Sequence, residues 1–200
     1  MLTRVRDAIT PLLKHLGVLL WRLGISPNIL TLSGLVLSLA TPVFAFFKVI
    51  SAVLTLMILS LACDMLDGAV ARVAGLATPK GALLDSFSDR VEELMFVLSL
   101  GIIGVEWITL ILFLGTSFLI SYLRAIASQY RINLEGVGFM ERGERGLLLI
   151  SSTALLLLNM VHYAELLIAV GILLNTTTVL QRLLKLVNLL GTSSRASVTL

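Results

Sequence analysis

The sequence predicts an all-α integral membrane protein, and three observations carry that prediction. Hydrophobic residues make up 58% of the 200 and charged residues only 14%, with a mean hydropathy of +1.02, whereas about 25% charged is ordinary for a soluble domain. The apolar residues fall into six runs, each close to the roughly 20 residues that one helix needs to cross a bilayer core. The basic residues divide very unequally between alternate junctions of those runs, as the positive-inside rule requires.

Residues 3–24 place Ile9, Leu12, Leu13, Leu16, Leu19, Leu20 and Leu23 at helical spacing, with Asp7, Lys14, His15 and Arg22 mostly elsewhere around the wheel. This pattern predicts an amphipathic helix lying on the membrane surface, basic side chains toward anionic lipid and Trp21 at the interface. The first 28 residues lack a clean apolar core and a small-residue cleavage site, so the first span is expected to stay attached. Ser26-Pro27 forms an N-cap and first-turn pair.

A six-helix bundle over 29–190 follows, with spans at 29–49, 52–73, 81–103, 107–128, 145–162 and 165–188. The junctions are Lys48 to Ser51, Gly75 to Pro79 with Thr78-Pro79 as a cap, Gly104 to Glu106, the longer polar Gln129 to Glu144, and His162 to Glu165. One domain over 1–200 is expected, ending in a small, polar tail at 191–200 that reads as disordered. Cys63 is the single cysteine, which excludes an intrachain disulfide; inside an apolar run it reads as a small packed hydrophobe.

With six spans and a cytoplasmic N-terminus, 14 of the 15 Lys and Arg residues fall on the cytoplasmic side and only Lys48 on the other. Both termini are therefore expected in the cytoplasm of a cell-membrane protein. Ten of the 12 acids fall in the same half, leaving Glu106 and Glu165 outside. The chemistry is expected to face the cytoplasm.

That chemistry concentrates between Asp64 and Asp89. Asp64 and Asp67 are three apart and share one helix face with Ala71; Asp85 and Asp89 are four apart and share a face of the next span. A tight turn joins the two spans, so the pairs can meet. Four carboxylates at membrane depth cannot all stay ionised without compensating charge. An all-oxygen donor set selects magnesium, manganese or calcium over softer metals, and two ions bridged by these acids would organise a diphosphate. Small residues beside the acids, Gly68, Ala71 and Gly81, allow either close helix packing or a ligand lying flat against the backbone. An ion or metal transporter also uses intramembrane acids, although spans 4 to 6 carry almost no polar residues in their outer halves to continue a path.

The string Asp64-x2-Asp67-Gly68-x2-Ala71-Arg72-x8-Gly81-x3-Asp85-x3-Asp89 resembles the signature of the CDP-alcohol phosphatidyltransferases at every defined position. The resemblance implies a six-helix membrane enzyme, expected to be a homodimer, that moves a phosphatidyl or archaetidyl group from a CDP-linked lipid to an alcohol and releases CMP. It implies that Asp64, Asp67, Asp85 and Asp89 ligate Mg2+ or Mn2+, two ions in all, and that Asp89 also serves as the base. Asp67, Gly68, Ala71, Arg72 and Gly81 would contact CDP. Asn28 and Thr31 resemble the family's Pro-Asn-x2-Thr at the start of span 1, close to the nucleotide, and they read equally as helix caps. No nucleic-acid partner is expected.

The acceptor is read from a second, basic group: Arg124, Arg131, Arg142, Arg145 and Arg182. A single Arg at a helix end can simply snorkel, whereas several around one cavity favour an anionic acceptor, because guanidinium forks hold phosphate. Ser121-Tyr122-x-Arg124-Ala125 and Glu141-Arg142-x2-Glu144-Arg145 resemble the branch that uses inositol phosphate. There, residues matching Arg124, Arg142 and Arg182 hold the acceptor's phosphate, and Arg145 joins them in this reading; Lys often stands where this chain has Arg124. Inositol 1-phosphate is the expected acceptor, and glycerol 3-phosphate the alternative.

Overall fold

The computed structural model describes residues 3–76 and 78–196. Seven helices make up its regular structure: α1 (Thr3–Arg22), α2 (Pro27–Phe46), α3 (Ile50–Ala74), α4 (Pro79–Ile103), α5 (Trp107–Gln129), α6 (Arg142–Leu157) and α7 (Val161–Ala196). The described residues group into two compact units, one of α1 to α4 with Thr153–Val161, the other of Glu106–Ser152 with the rest of α7. Among the described residues four helices are long and apolar enough to cross a membrane: α2, α3, α5 and the Val161–Gly191 part of α7. The chain is thus an all-helical integral membrane protein. Of the six expected spans, two have helices that miss that criterion for visible reasons. The first 15 residues of α4 include Lys80, Asp85, Asp89, Arg90, Glu92 and Glu93, and α6 has only 16 residues.

Spans 1 to 4 fall within three residues of α2 to α5 at each end. Their punctuation is local chemistry. Pro27 opens α2 after Ser26 in extended conformation, although the Ser26 side chain makes no cap hydrogen bond. Thr78 caps α4 by accepting from Gly81 N at 3.0 Å, and Gly75 ends α3 in the left-handed conformation that glycine tolerates. Lys48, alone on its side in the charge map, donates from Nζ to Ile102 O at 2.6 Å and Ile103 O at 3.0 Å, closing the C-terminus of α4. Glu106 caps α5, and the N–H groups of Ile108 and Thr109 hold its carboxyl below the usual range.

The last junction lies earlier than expected. Asn159 adopts φ 59°, and Met160 N returns to Leu155 O at 2.9 Å, so α6 stops at Leu157 and α7 begins at Val161. His162 to Glu165, expected as the turn, belongs to α7. At the other end α7 continues through Gly191 to Ala196, and the remainder of the expected disordered tail, 197–200, lies outside the described residues.

In the first unit α2 packs against both α3 and α4, and α1 against α3. The packed face of α2 is a stripe of small and hydroxyl residues: Thr31, Gly34, Ser38, Thr41 and Ala45 are buried. Small side chains let membrane helices approach closely, and hydroxyls bond across. Ser60 donates to Gly34 O at 3.0 Å, and Ser99 to Thr41 Oγ1 at 2.9 Å. Gly17 brings α1 onto the signature helix: a Cβ there would stand 3.1 Å from Ala69 C and O and 3.3 Å from Val70 N.

Backbone atoms cannot yield as a side chain does, so Gly17→Leu is expected to lower stability by about 1–3 kcal/mol. Gly115→Leu, where an added Cβ meets nothing within 4 Å, should shift it by less than about 0.5 kcal/mol. Thermal unfolding in detergent compares the two.

Candidate active site and metal centre

Helices α2, α3 and α4 supply the acidic site. Asp64 and Asp67 are buried on α3, at 8% and 5% exposure, with Gly68, Ala71 and Arg72 following on the same helix. The Thr31 hydroxyl of α2 donates to Asp67 Oδ2 at 2.5 Å, and the charges of Asp85 and Asp64 both act on Asp67. Asp64 and Asp67 thus stand one turn apart on α3, and the charge of Asp85 reaches Asp67 from α4. Asp89, half-buried on α4, lies 3.3 Å from Arg90 Nη1, which also donates to Ser86 O at 2.6 Å.

The predicted nucleotide residues collect in the same unit. A Cβ on Gly81 would meet Thr78 Oγ1 at 3.2 Å and Asn28 Oδ1 at 3.6 Å, so Asn28 stands beside the backbone of α4. A Cβ on Gly68 would meet Arg72 Nη1 at 3.3 Å: the guanidinium folds back over the glycine, one turn away. Thr31 makes its bond to Asp67, while its hydroxyl also lies 3.1 Å from Pro27 O.

One acid escaped the sequence reading. Glu92 is 1% exposed on α4, and a Cβ on Gly34 would meet both Glu92 Oε1 and Asp64 Oδ1 at 3.2 Å. The signal was available, since Asp85, Asp89 and Glu92 fall at i, i+4 and i+7, one helix face. Glu92 lies outside the eight-residue signature, and that is why it was passed over.

The donors fit a hard divalent cation. All are oxygens, and the repulsion that Asp85 and Asp64 exert on Asp67 is what a cation relieves. Among the described residues no three acidic, histidine or cysteine side chains converge as a finished ligand set, so the fit rests on donor chemistry and on the gathering of the aspartates.

The second unit holds the basic group. Arg145 and Arg182 are buried at 4% and 3% exposure, Arg142 is half-buried at the start of α6, and Arg124 is exposed on α5. Glu141, Arg124 and Arg145 all act electrostatically on Arg182, and of these Glu141 is its ion-pair partner. Arg182 is partly committed. Its Nε donates to Val137 O at 2.9 Å and its Nη1 to Ile120 O at 3.0 Å, while Nη2 lies 3.8 Å from Glu141 Oε1. Two of its five N–H donors thus serve backbone carbonyls.

Comparison with known proteins gives consistent likenesses. The profile of the CDP-alcohol phosphatidyltransferase family matches residues 24–180. The archaetidylinositol phosphate synthase of Aeropyrum pernix is 34% identical over 163 residues, covering 81% of this chain and 83% of that protein. That of Pyrococcus horikoshii is 32% identical over 148 residues, 72% of this chain and 78% of the relative. Among solved structures, the phosphatidylinositol phosphate synthase of Mycobacterium tuberculosis with CDP-DAG bound superposes with a TM-score of 0.72 at 27% identity, covering 86% of this chain and 91% of that one. The same protein in complex with manganese and citrate gives 0.72 at 28%, covering 86% and 87%.

The bond from Thr31 to a buried carboxylate predicts that Thr31→Val, nearly isosteric but without the donor, costs about 1.5–3 kcal/mol of stability. Thr31→Ser should recover most of it. Thermal unfolding of the three proteins measures the difference.

Proposed function

The chain belongs to the CDP-alcohol phosphatidyltransferase family and is accordingly a phosphotransferase, and on that premise we propose that it transfers a phosphatidyl or archaetidyl group from a CDP-linked lipid to inositol 1-phosphate, releasing CMP. The observation that carries the reading is the pairing of two chemistries within one chain. One unit sets aspartates beside a glycine-lined stretch, and the other sets Arg182 against Glu141 with the charges of Arg124 and Arg145 acting on it. The names of the relatives point the same way, and one related structure binds CDP-DAG.

In this reading Asp64, Asp67, Asp85 and Asp89 hold two divalent ions, Mg2+ or Mn2+. Bound there, the ions would neutralise the donor's diphosphate and offset the charge that grows on the leaving CMP. The protein's own groups do the rest. Thr31 holds Asp67 in orientation, Asn28, Gly68, Ala71 and Gly81 leave room for the nucleotide against the backbone, and Arg72 meets a phosphate. Arg124, Arg142, Arg145 and Arg182 hold the phosphate of the acceptor by charge-assisted hydrogen bonds. Asp89 takes the proton of the acceptor hydroxyl as that oxygen bonds to the lipid-bearing phosphorus and the bond to CMP breaks. Arg90, 3.3 Å from Asp89, pairs with its carboxylate.

The charge bias supports six spans, α2 to α7, with both termini in the cytoplasm and the site facing it across the cell membrane. Leu12, Leu19 and Trp21 of α1 are exposed, in keeping with a helix that lies in the membrane surface. Homodimerisation rests on the family resemblance.

Purified protein supplied with CDP-lipid and Mg2+ should release CMP fastest with inositol 1-phosphate, compared with inositol, glycerol 3-phosphate and serine. A faster rate with glycerol 3-phosphate would reassign the acceptor; no CMP with any alcohol, together with ion flux in vesicles, would overturn the reaction class. Asp89→Asn should lower turnover about 10²–10⁴-fold with an unchanged melting temperature. Chelation by EDTA should abolish CMP release, and added Mn2+ should restore it.

A further inference from the structure

The loop between α5 and α6 carries Glu141 and leads directly into Arg142 and Arg145, yet it is irregular over residues 130–141. Something must hold it. Leu134, 1% exposed, packs with Ala127 of α5 and Leu186 of α7 and so anchors one end. The other end meets Thr178 of α7, one helical turn before Arg182 on the same face.

Thr178 is fully buried, and its hydroxyl has every bonding position filled. It accepts from Phe139 N at 3.0 Å and from Met140 N at 3.1 Å, and it donates to Leu174 O at 2.8 Å. A hydroxyl offers one donor and two acceptor positions. Gly138 presses on the same side chain: its φ is +104°, and an added Cβ would stand 2.3 Å from Thr178 Cγ2. The contact therefore fixes both the height and the orientation of the loop immediately before Glu141. Glu141 in turn accepts from Gly136 N at 2.7 Å and faces Arg182.

None of the residue types at this joint can bind a phosphate by charge, yet the joint determines where the arginine-bearing segment starts. We propose that Thr178 is a positioning residue for the acceptor: by taking the Phe139 and Met140 N–H groups it sets the stance of Glu141, Arg142 and Arg145, and so governs acceptor affinity and not the transfer step. The inference rests on the acceptor reading given above. It concerns the loop, and Thr178 itself touches neither substrate nor the reacting atoms.

The test is a steady-state comparison of wild type, Thr178→Val and Thr178→Ser, each titrated separately with inositol 1-phosphate and with CDP-lipid. Val keeps the shape and removes both acceptor positions along with the donor to Leu174 O; Ser keeps all three. Loss of the two bonds that reach the loop predicts a rise of about 5–30-fold in acceptor KM for Thr178→Val. Its kcat and CDP-lipid KM should stay within about twofold, and Thr178→Ser should return the acceptor KM to within about threefold. An unchanged acceptor KM in Thr178→Val, or parallel losses in kcat and both KM values that Ser does not rescue, would overturn the proposal. Should Thr178→Val fail to fold, Gly138→Ala pushes on the joint from the loop side and carries the same acceptor-selective prediction, with the same outcome against it. If wild type itself uses no phosphorylated acceptor, the acceptor reading falls and this inference with it; if wild type uses inositol 1-phosphate and the variants bind it normally, only this inference falls.

Discussion

Carboxylates removed from water set the terms for the first four helices. Asp64, Asp67 and Glu92 are all buried among apolar helices, where an isolated anion costs far more than any packing contact returns. Their surroundings show how the chain accommodates them. Thr31 reaches Asp67 from α2, and Gly34 is bare where Asp64 and Glu92 come closest. The same α2 stripe that packs tightly therefore also admits the acids. A larger side chain at Gly34 would fill the space that two carboxylate oxygens occupy. Close packing and acid placement are in this sense one requirement, met by small residues at helical spacing.

The second unit solves a different problem, holding like charges together. Arg145 and Arg182 are buried and Arg124 acts on Arg182 from α5. Glu141 and two backbone carbonyls provide the counterweight. Because those carbonyls belong to Val137 and Ile120, the arginine that reads as a phosphate ligand also ties the α5–α6 loop to its unit. In the proposed reading stability and recognition share a side chain there, and substitutions at Arg182 would report on both. Thr178, one turn away, takes the loop's Phe139 and Met140 N–H groups and donates to Leu174 O of its own helix.

The extents of α2 to α5 were legible in the sequence, because each boundary has a local cause: Pro27, Gly75, Thr78-Pro79 and Glu106 act through their own backbone and neighbours. The α6–α7 junction was not. His162 and Glu165 look like a polar turn, but the break is made by Asn159 in a left-handed conformation, a signal that one Asn among leucines carries only weakly. The aspartate signature was legible as a string of fixed spacing. Glu92 was missed because its membership depends on which face of α4 is buried against α2.

What the sequence determined by itself was the class of chemistry. Six apolar runs and a lopsided charge map specify a membrane protein, and four aspartates at helical spacing point to a hard-cation site, since periodicity and desolvation act on any chain of that composition. Tertiary structure decided which groups meet. It paired Thr31 with Asp67, brought Glu92 beside Asp64 at Gly34, and docked residues 137–140 on Thr178 and Arg182. Those contacts join residues 28 to 45 positions apart or more, through hydroxyls and carbonyls that have no periodicity to read, and only packing brings them within reach of one another.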